Sequence, residues 1–286
     1  MKKKLTASVL CLALLLIMLL GSTLAWFTDE SGTTNTMTVG NVKIQQYQKD
    51  RSNNAFDPVQ KMFPAVINNG LGGTVSKQDG FWNTNEINNE IDNIVTVENI
   101  GSEAAYVRTL FAFEMMKKVT KDTNGNDVIT WENPLTNVVN DPAEVVLNVN
   151  ETVDQNGNPA QFIDFATGIV IYQYNDATFG GDSSNAVAAY VIGIYTYKEA
   201  LAASTTTNPS ISAPSLLQFY LAGHVNNDFS AAVGGHYDIL VLSQAVQEAG
   251  FTSADLAFNA ALPLNVDNLT AWFTPSHLPP TPNFKQ

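Results

Sequence analysis

Three histidines, His224, His236 and His277, are the first residues to weigh for catalysis or metal binding. None stands in H-E-x-x-H, and none shares helical spacing with a second ligand. His224 and His236 are twelve residues apart in loop-like sequence, with Asp228 and Asp238 nearby. Surface or turn histidines describe that pattern better than zinc ligands. The stretch "DTNGND", residues 122–127, offers oxygen donors at alternate positions, as a calcium loop does. Gly125 is at the fourth place rather than the sixth, however, and the twelfth place holds Asn133 instead of glutamate. A hairpin turn is the better reading, and "DQNGNP", residues 154–159, is a second such turn. Acidic residues are plentiful, but sequence alone nominates no pair for glycoside hydrolysis. No nucleophile elbow, phosphate loop or cofactor fingerprint occurs, and "GLGG" at 70–73 is a turn cluster. Arg108 stands among apolar neighbours, where pairing with a carboxylate or capping a turn is expected rather than catalysis. The expectation is therefore no catalytic group, no metal and no cofactor.

Composition narrows the class further. The chain has 286 residues, 45% of them hydrophobic and only 14% charged. Stability must come from packing and backbone pairing rather than from ion pairs. The net charge is −13, and Lys2, Lys3 and Lys4 lie in a leading segment without acids. Beyond that segment 11 basic residues face 27 acidic ones, a net of −16. Such a surface repels nucleic acid and anionic lipid. The single cysteine, Cys11, lies within the leading apolar run, so the rest of the chain has no thiol chemistry.

That run, residues 5–20, follows the three lysines and is broken by Gly21 and Ser22. Thr23-Leu24-Ala25 supplies small residues at −3 and −1, so cleavage between Ala25 and Trp26 is expected. The run is short for a membrane span, which takes about 20 residues. Residues 1–25 read as a removable signal peptide, with a retained anchor as the alternative.

The groups above must be positioned by strands. Residues 37–47 form the first, with Val42 and Ile44 on one side and Val39, Lys43 and Gln45 on the other. Residues 50–92 are rich in Asn and Gly and read as an ordered surface excursion anchored by Phe63, Phe81 and Trp82. Val95 and Val97 alternate with Thr96 and Glu98, and a turn at "NIGSE" leads into a second strand. There Val107, Thr109, Phe111 and Phe113 alternate with Tyr106, Arg108, Leu110 and Ala112. Asn124-Gly125 marks a hairpin. Further strands fall within 161–175, 186–197 and 237–246, and short helices are predicted at 197–204 and 252–262, the second with Ser253 as N-cap. The expected fold is mainly β: a jelly-roll-like antiparallel β-sandwich over 26–262 with a few short peripheral helices. Residues 263–286 are Pro-rich and read as a loose tail. Within the tail, Leu278-Pro279-Pro280-Thr281 half-matches a sortase signal, but Pro282 follows and no apolar tail does.

Three stretches resemble a known family. "LAWFTDESGTTNTMTVGNVKI" is similar to the start of the exported TasA/camelysin proteins processed by the signal peptidase SipW, through Phe27, Asp29, Thr36, Met37 and Gly40. "VTVENIGSEAAYVRTLFAF" resembles the group's central hairpin, through Asn99, Gly101, Ala105, Tyr106, Val107 and Arg108. "YDILVLSQAVQEAGFTSADLAF" resembles its closing segment, through Gln244, Ala245, Gln247, Gly250 and Phe251. Residues 50–92 and 120–210 carry little of the likeness. The resemblance implies a secreted jelly-roll subunit of cell-surface or biofilm-matrix fibres in a Gram-positive bacterium. Its partners would be further copies of itself or related matrix subunits, besides the signal peptidase during export. Growth would proceed by donation of an N-terminal strand, here 37–47, with Met37, Val39, Val42, Ile44 and Tyr47 as the contact residues.

Elementary physics allows donation without the family. A freed extended end with few charges can complete an unpaired sheet edge in cis or in trans, and head-to-tail contacts propagate. The plain alternative is that 37–47 is the first strand of its own sheet. Two other functions stay open: a secreted enzyme, either a camelysin-like metalloprotease or a glycan hydrolase, and a monomeric adhesin binding carbohydrate through Trp82 or Trp131.

Overall fold

The computed structural model describes residues 42–273 except 59, 69–74, 137–142, 151, 154–158, 162, 165–167, 176–177, 206 and 226. Ten strands build the framework. In chain order they are β1 (Ile44–Lys49), β2 (Ile91–Asn99), β3 (Ala105–Glu114), β4 (Leu135–Thr136), β5 (Val145–Val149), β6 (Val170–Asn175), β7 (Thr178–Gly180), β8 (Ala188–Thr196), β9 (Leu216–Leu221) and β10 (Ile239–Gln247). One sheet runs β1-β2-β9-β5-β4 and the other β7-β6-β8-β3-β10. Neighbours are antiparallel except β4 beside β5. The chain changes sheet after β2, β3, β5, β8 and β9, the alternation expected of a jelly-roll-like sandwich. The mainly-β expectation holds.

Side-chain alternation explains the layering. In β2, Ile91, Val95 and Val97 are buried while Asp92, Thr96 and Glu98 are only half-buried. Those valines meet Ile44, Leu147 and Phe219 of their own sheet and Val107, Phe111, Phe113 and Val241 of the facing one. That cluster is the sandwich interior. Strand β3 is buried at every position, because its second face is covered too. Tyr106, Leu110 and Ala112 pack against Phe258, Leu269 and Trp272. These last residues belong to two of the three short helices among the described residues: α1 (Asn227–Ala232), α2 (Ala254–Ala261) and α3 (Val266–Trp272). Ser253 caps α2 as anticipated, its hydroxyl accepting from the Leu256 N–H at 3.3 Å. Asn265 does the same for α3, accepting from Asn268 at 2.8 Å. Residues 263–273 are thus part of the body rather than a tail, because Leu269, Trp272 and Phe273 bury an apolar face on the second sheet. Residues 274–286, including the half-matched sortase stretch and His277, lie outside the described residues.

Two further expectations need correction. The stretch 197–204 is not helical. Leu201 pairs instead with Ala105 at the head of β3, its N–H and carbonyl bonded at 2.8 and 2.9 Å. Tertiary pairing overrides a modest helical propensity there. Of the three aromatic anchors, Trp82 is buried at 1% exposure against Tyr220, Phe81 lies half-buried under Arg51, and Phe63 is 56% exposed. Trp82 and Ile87 cover the outer face of the first sheet at Val146 and Tyr220. The adhesin reading therefore loses Trp82, and Trp131 is only half-exposed with its ring packed on the interior.

The "DTNGND" stretch is the hairpin turn between Met116–Lys121 and Asp127–Glu132, with Gly125 at φ +85°. Asp122 accepts from the Asn124 and Asn126 N–H groups at 2.7 and 2.8 Å and from the Asn126 amide at 3.0 Å. Its carboxylate serves the turn. Residues 154–158 of the second such stretch lie outside the described residues.

Candidate functional site

The expected donor strand supplies the site. Residues Ala25, Trp26, Met37 and Val39 lie outside the described residues, whereas Val42, Ile44 and Tyr47 are placed on or beside β1. Among the described residues this strand is an edge. It pairs with β2 from Ile44 opposite Asn99 to Lys49 opposite Ile94, and Ile100 donates to the Lys43 carbonyl at 2.8 Å. Among the described residues its far side is met only near its end, by Ala55 at Lys49 and by the Phe56 N–H on the Gln48 carbonyl. Val42 and Ile44 are nonetheless fully buried and form part of the interior. Each contributes about 1.5–3 kcal/mol by burial. An empty slot would expose Val95, Val97 and Ala245, so a strand must occupy it.

Gln46 is the inward residue that the sequence reading missed. Alternation from Val42 and Ile44 pointed to it, but an amide facing a core is not an expectation that periodicity raises. It is 2% exposed and meets Ser243 on β10, the edge strand of the facing sheet. Tyr47 lies on the outward side, where its hydroxyl donates to Glu98 at 2.8 Å and Lys49 sits 5.1 Å above its ring. Partial burial, then Glu98, push the phenol up to about 12. The strand leaves its slot through a tight turn. Asp50 holds the Asn54 N–H and side-chain amide at 2.8 Å each, and Asn53 takes φ +65°.

No family model matches the chain, and neither does any curated protein or solved structure. The roles of the remaining motif residues rest on their geometry. Asn99 closes the corner between β2 and β3. Its amide donates to the carbonyls of Glu103, Leu201 and Ala202 at 2.8–3.1 Å, and its oxygen accepts from the Gly101 N–H at 3.0 Å. Arg108 and Gln244 stand opposite one another on β3 and β10, on the helix-covered face. Arg108 finds no carboxylate among the described residues; it donates to Gln244 and to the carbonyl of Leu262, the C-cap of α2. Of the two roles expected of it, capping is the one observed. Tyr106 is buried beside it under the helices, and Gln247 ends β10 opposite Ala105. These residues hold the fold in shape; none of them touches β1 by hydrogen bond.

The ionisable groups gather at the other end of β3. Asp238 donates its backbone N–H to the Glu114 carboxylate at 2.9 Å, and the Tyr190 hydroxyl reaches Gln173 at 3.1 Å and Asp238 at 3.4 Å. Burial, then the charge of Asp238, push Glu114 up to about 8, and burial raises Asp238 as well. A raised carboxyl is what a general acid requires, but Glu114 is sealed at 6% exposure and cannot meet a substrate. His236 lies 3.8 Å from Asp238 and His224 lies 3.6 Å from Glu144. The two histidines serve different neighbours, and among the described residues no group of three or more His, Cys, Asp or Glu could hold a metal ion. The Tyr237 hydroxyl is buried without a partner among the described residues. Tyr237→Phe is therefore expected to leave stability unchanged or raise it by about 1 kcal/mol, read from urea unfolding; a loss above that would reveal a partner for the hydroxyl.

Proposed function

We propose that this chain is a secreted structural subunit that assembles into cell-surface or matrix fibres by exchanging its first strand between copies. The observation that carries the reading is the standing of β1. It fills the interior with Val42 and Ile44, yet among the described residues it is an edge strand held by one ladder, and it is the first strand after the expected processed end, 18 positions beyond Trp26. A slot that must be filled, and a strand joined to the body through one turn at 50–54, make exchange in trans a small rearrangement of contacts already formed. The resemblance of three stretches to TasA/camelysin proteins supports the same reading. The acidic surface suits an exported, soluble subunit that meets its own kind through backbone pairing rather than through charge.

Gln45 and Glu98 face each other in the β1–β2 ladder, within reach of a disulfide. A chain starting at Trp26 contains no native cysteine. Gln45→Cys with Glu98→Cys, oxidised after assembly, is expected to give a ladder of multimers on a non-reducing gel that collapses with reductant. Filaments in the electron microscope should accompany it. Oxidation yielding only intrachain-linked monomers, with filaments present, would sink exchange of this strand.

A further inference from the structure

The interior behind β1 carries one polar contact that hydrophobic burial does not require. Gln46 Oε1 accepts from Ser243 Oγ at 2.7 Å, and Ser243 Oγ lies 3.1 Å from Thr109 Oγ1. Ser243 and Thr109 are both fully buried, and they are opposite neighbours on β10 and β3. The contact therefore spans the two sheets at the side where both present an edge. Around it the inward row is aliphatic: Val42 and Ile44 precede Gln46 on β1, Val97 is its ladder partner, and Val107 and Ala245 lie one inward step beyond the hydroxyls. A one-residue slip of β1 would turn its whole inward row to solvent. A two-residue slip is the slip that alternation alone tolerates. Here it would either set Ile44 on the two hydroxyls or drive Gln46 among the valines that Ile44 now meets. The first outcome takes the amide acceptor from Ser243 and leaves the two hydroxyls only each other, and the second buries the Gln46 amide among aliphatic side chains.

We infer that Gln46 is the specificity-determining residue of the slot: Ser243 and Thr109 recognise an amide at the inward position that follows the aliphatic Val42 and Ile44. The occupant so selected is the β1 strand of this chain, supplied in the assembly by a second copy. The inference deepens the exchange reading and rests on it for the identity of the donor, but the recognition itself is testable apart from exchange.

Three forms of the chain from Trp26 make the test: Gln46→Leu, Ser243→Ala with Thr109→Val, and all three substitutions together. The first two are each expected to lower the thermal unfolding midpoint by roughly 3–10 °C, and the combined form is expected to recover most of that loss. Should the Ser243/Thr109 form not fold, Ser243→Ala alone and Gln46→Leu with Ser243→Ala supply the same cycle. Losses that simply add would overturn the inference, whether or not filaments form. The first two forms, refolded together, should then produce filaments that neither produces alone, because each strand finds its matching slot only on the other form. Coupling without that rescue would keep Gln46 as the residue recognised and would sink exchange between copies.

Discussion

Arg108→Ala is expected to destabilise the protein by about 3–5 kcal/mol in urea unfolding. The side chain is 3% exposed and replaces a counter-ion with neutral acceptors. Gln244 Oε1 takes two guanidinium donors at 2.8 and 2.6 Å, and the Leu262 carbonyl takes a third at 2.7 Å. The guanidinium also stacks 4.4 Å from the Phe258 ring and 5.7 Å from that of Trp272. The positive charge therefore sits at the carbonyl end of α2, where the aligned peptide dipoles favour it. Burial pulls the group down to about 9, still above neutral pH, so it remains a cation. Truncation removes this packing at once and strands two buried acceptors. Arg108→Met, which refills the space without donors, should lose clearly less than alanine yet more than a surface substitution. Arg108→Lys should not restore stability, because a single ammonium cannot serve Gln244 and Leu262 in the same fork. A loss below about 1 kcal/mol for the alanine form would mean that the helices are held on β3 by apolar contact alone.

Stability is also expected to fall as pH rises from about 4.5 to about 8, and Glu114 is the reason. Its carboxyl is raised from the ordinary 4.5 to about 8, so the folded chain keeps a proton that the unfolded chain has released. The resulting stabilisation is complete below 4.5, declines as pH climbs through the window, and is gone above 8. Its slope can reach about 1.4 kcal/mol per pH unit where one full proton separates the two states. Glu114→Gln keeps the shape and abolishes the titration. That form should match the parent below pH 5, exceed it by about 1–3 kcal/mol at pH 9, and show a flatter profile between. The groups that face Glu114 are Asp238 beside it, Tyr190 across from it on β8, Tyr237 next to Asp238 in the chain, and His236 beyond Asp238. Asp238 is raised by its own burial and steepens the same decline. Asp50, Asp122 and Asp182 are lowered by hydrogen bonds, so they act in the opposite sense and only at more acid pH. Parallel stability profiles for the parent and the Glu114→Gln form would remove this carboxyl as the source.

Alternation made much of the sandwich legible. Val95 and Val97 point inward as spaced, and the unusual run of β3, apolar on both sides of its alternation, reports a strand covered twice. Local chemistry placed the Ser253 cap and the Asn124-Gly125 turn correctly, since both depend on neighbours close in sequence. What escaped depends on residues far apart. Leu201 lies in a helix-prone stretch but pairs with Ala105, and the Asn99 amide fixes it there. Pro263 begins a stretch that composition marks as loose, yet Trp272 and Phe273 dock on β3 two residues short of Pro275. At the site, Val42 and Ile44 were visible as an inward pair, whereas Gln46 was not, because its partner is 197 positions away. Arg108 and Gln244 were each noticed singly; only the register of β3 against β10 shows them to be one feature.

The contact between Gln46 and Ser243 joins nearly the two ends of the described chain, and β3 waits for β10, α2 and α3 to cover it. A polypeptide appearing N-terminus first, from a ribosome or across a membrane, cannot close this sandwich until β10 and the two helices after it are delivered. Until then the central strand keeps a bare flank, and long-range pairing of this kind is slow. The order of synthesis thus keeps the molecule from hardening too early: it stays pliable until its last strand and helices are in place.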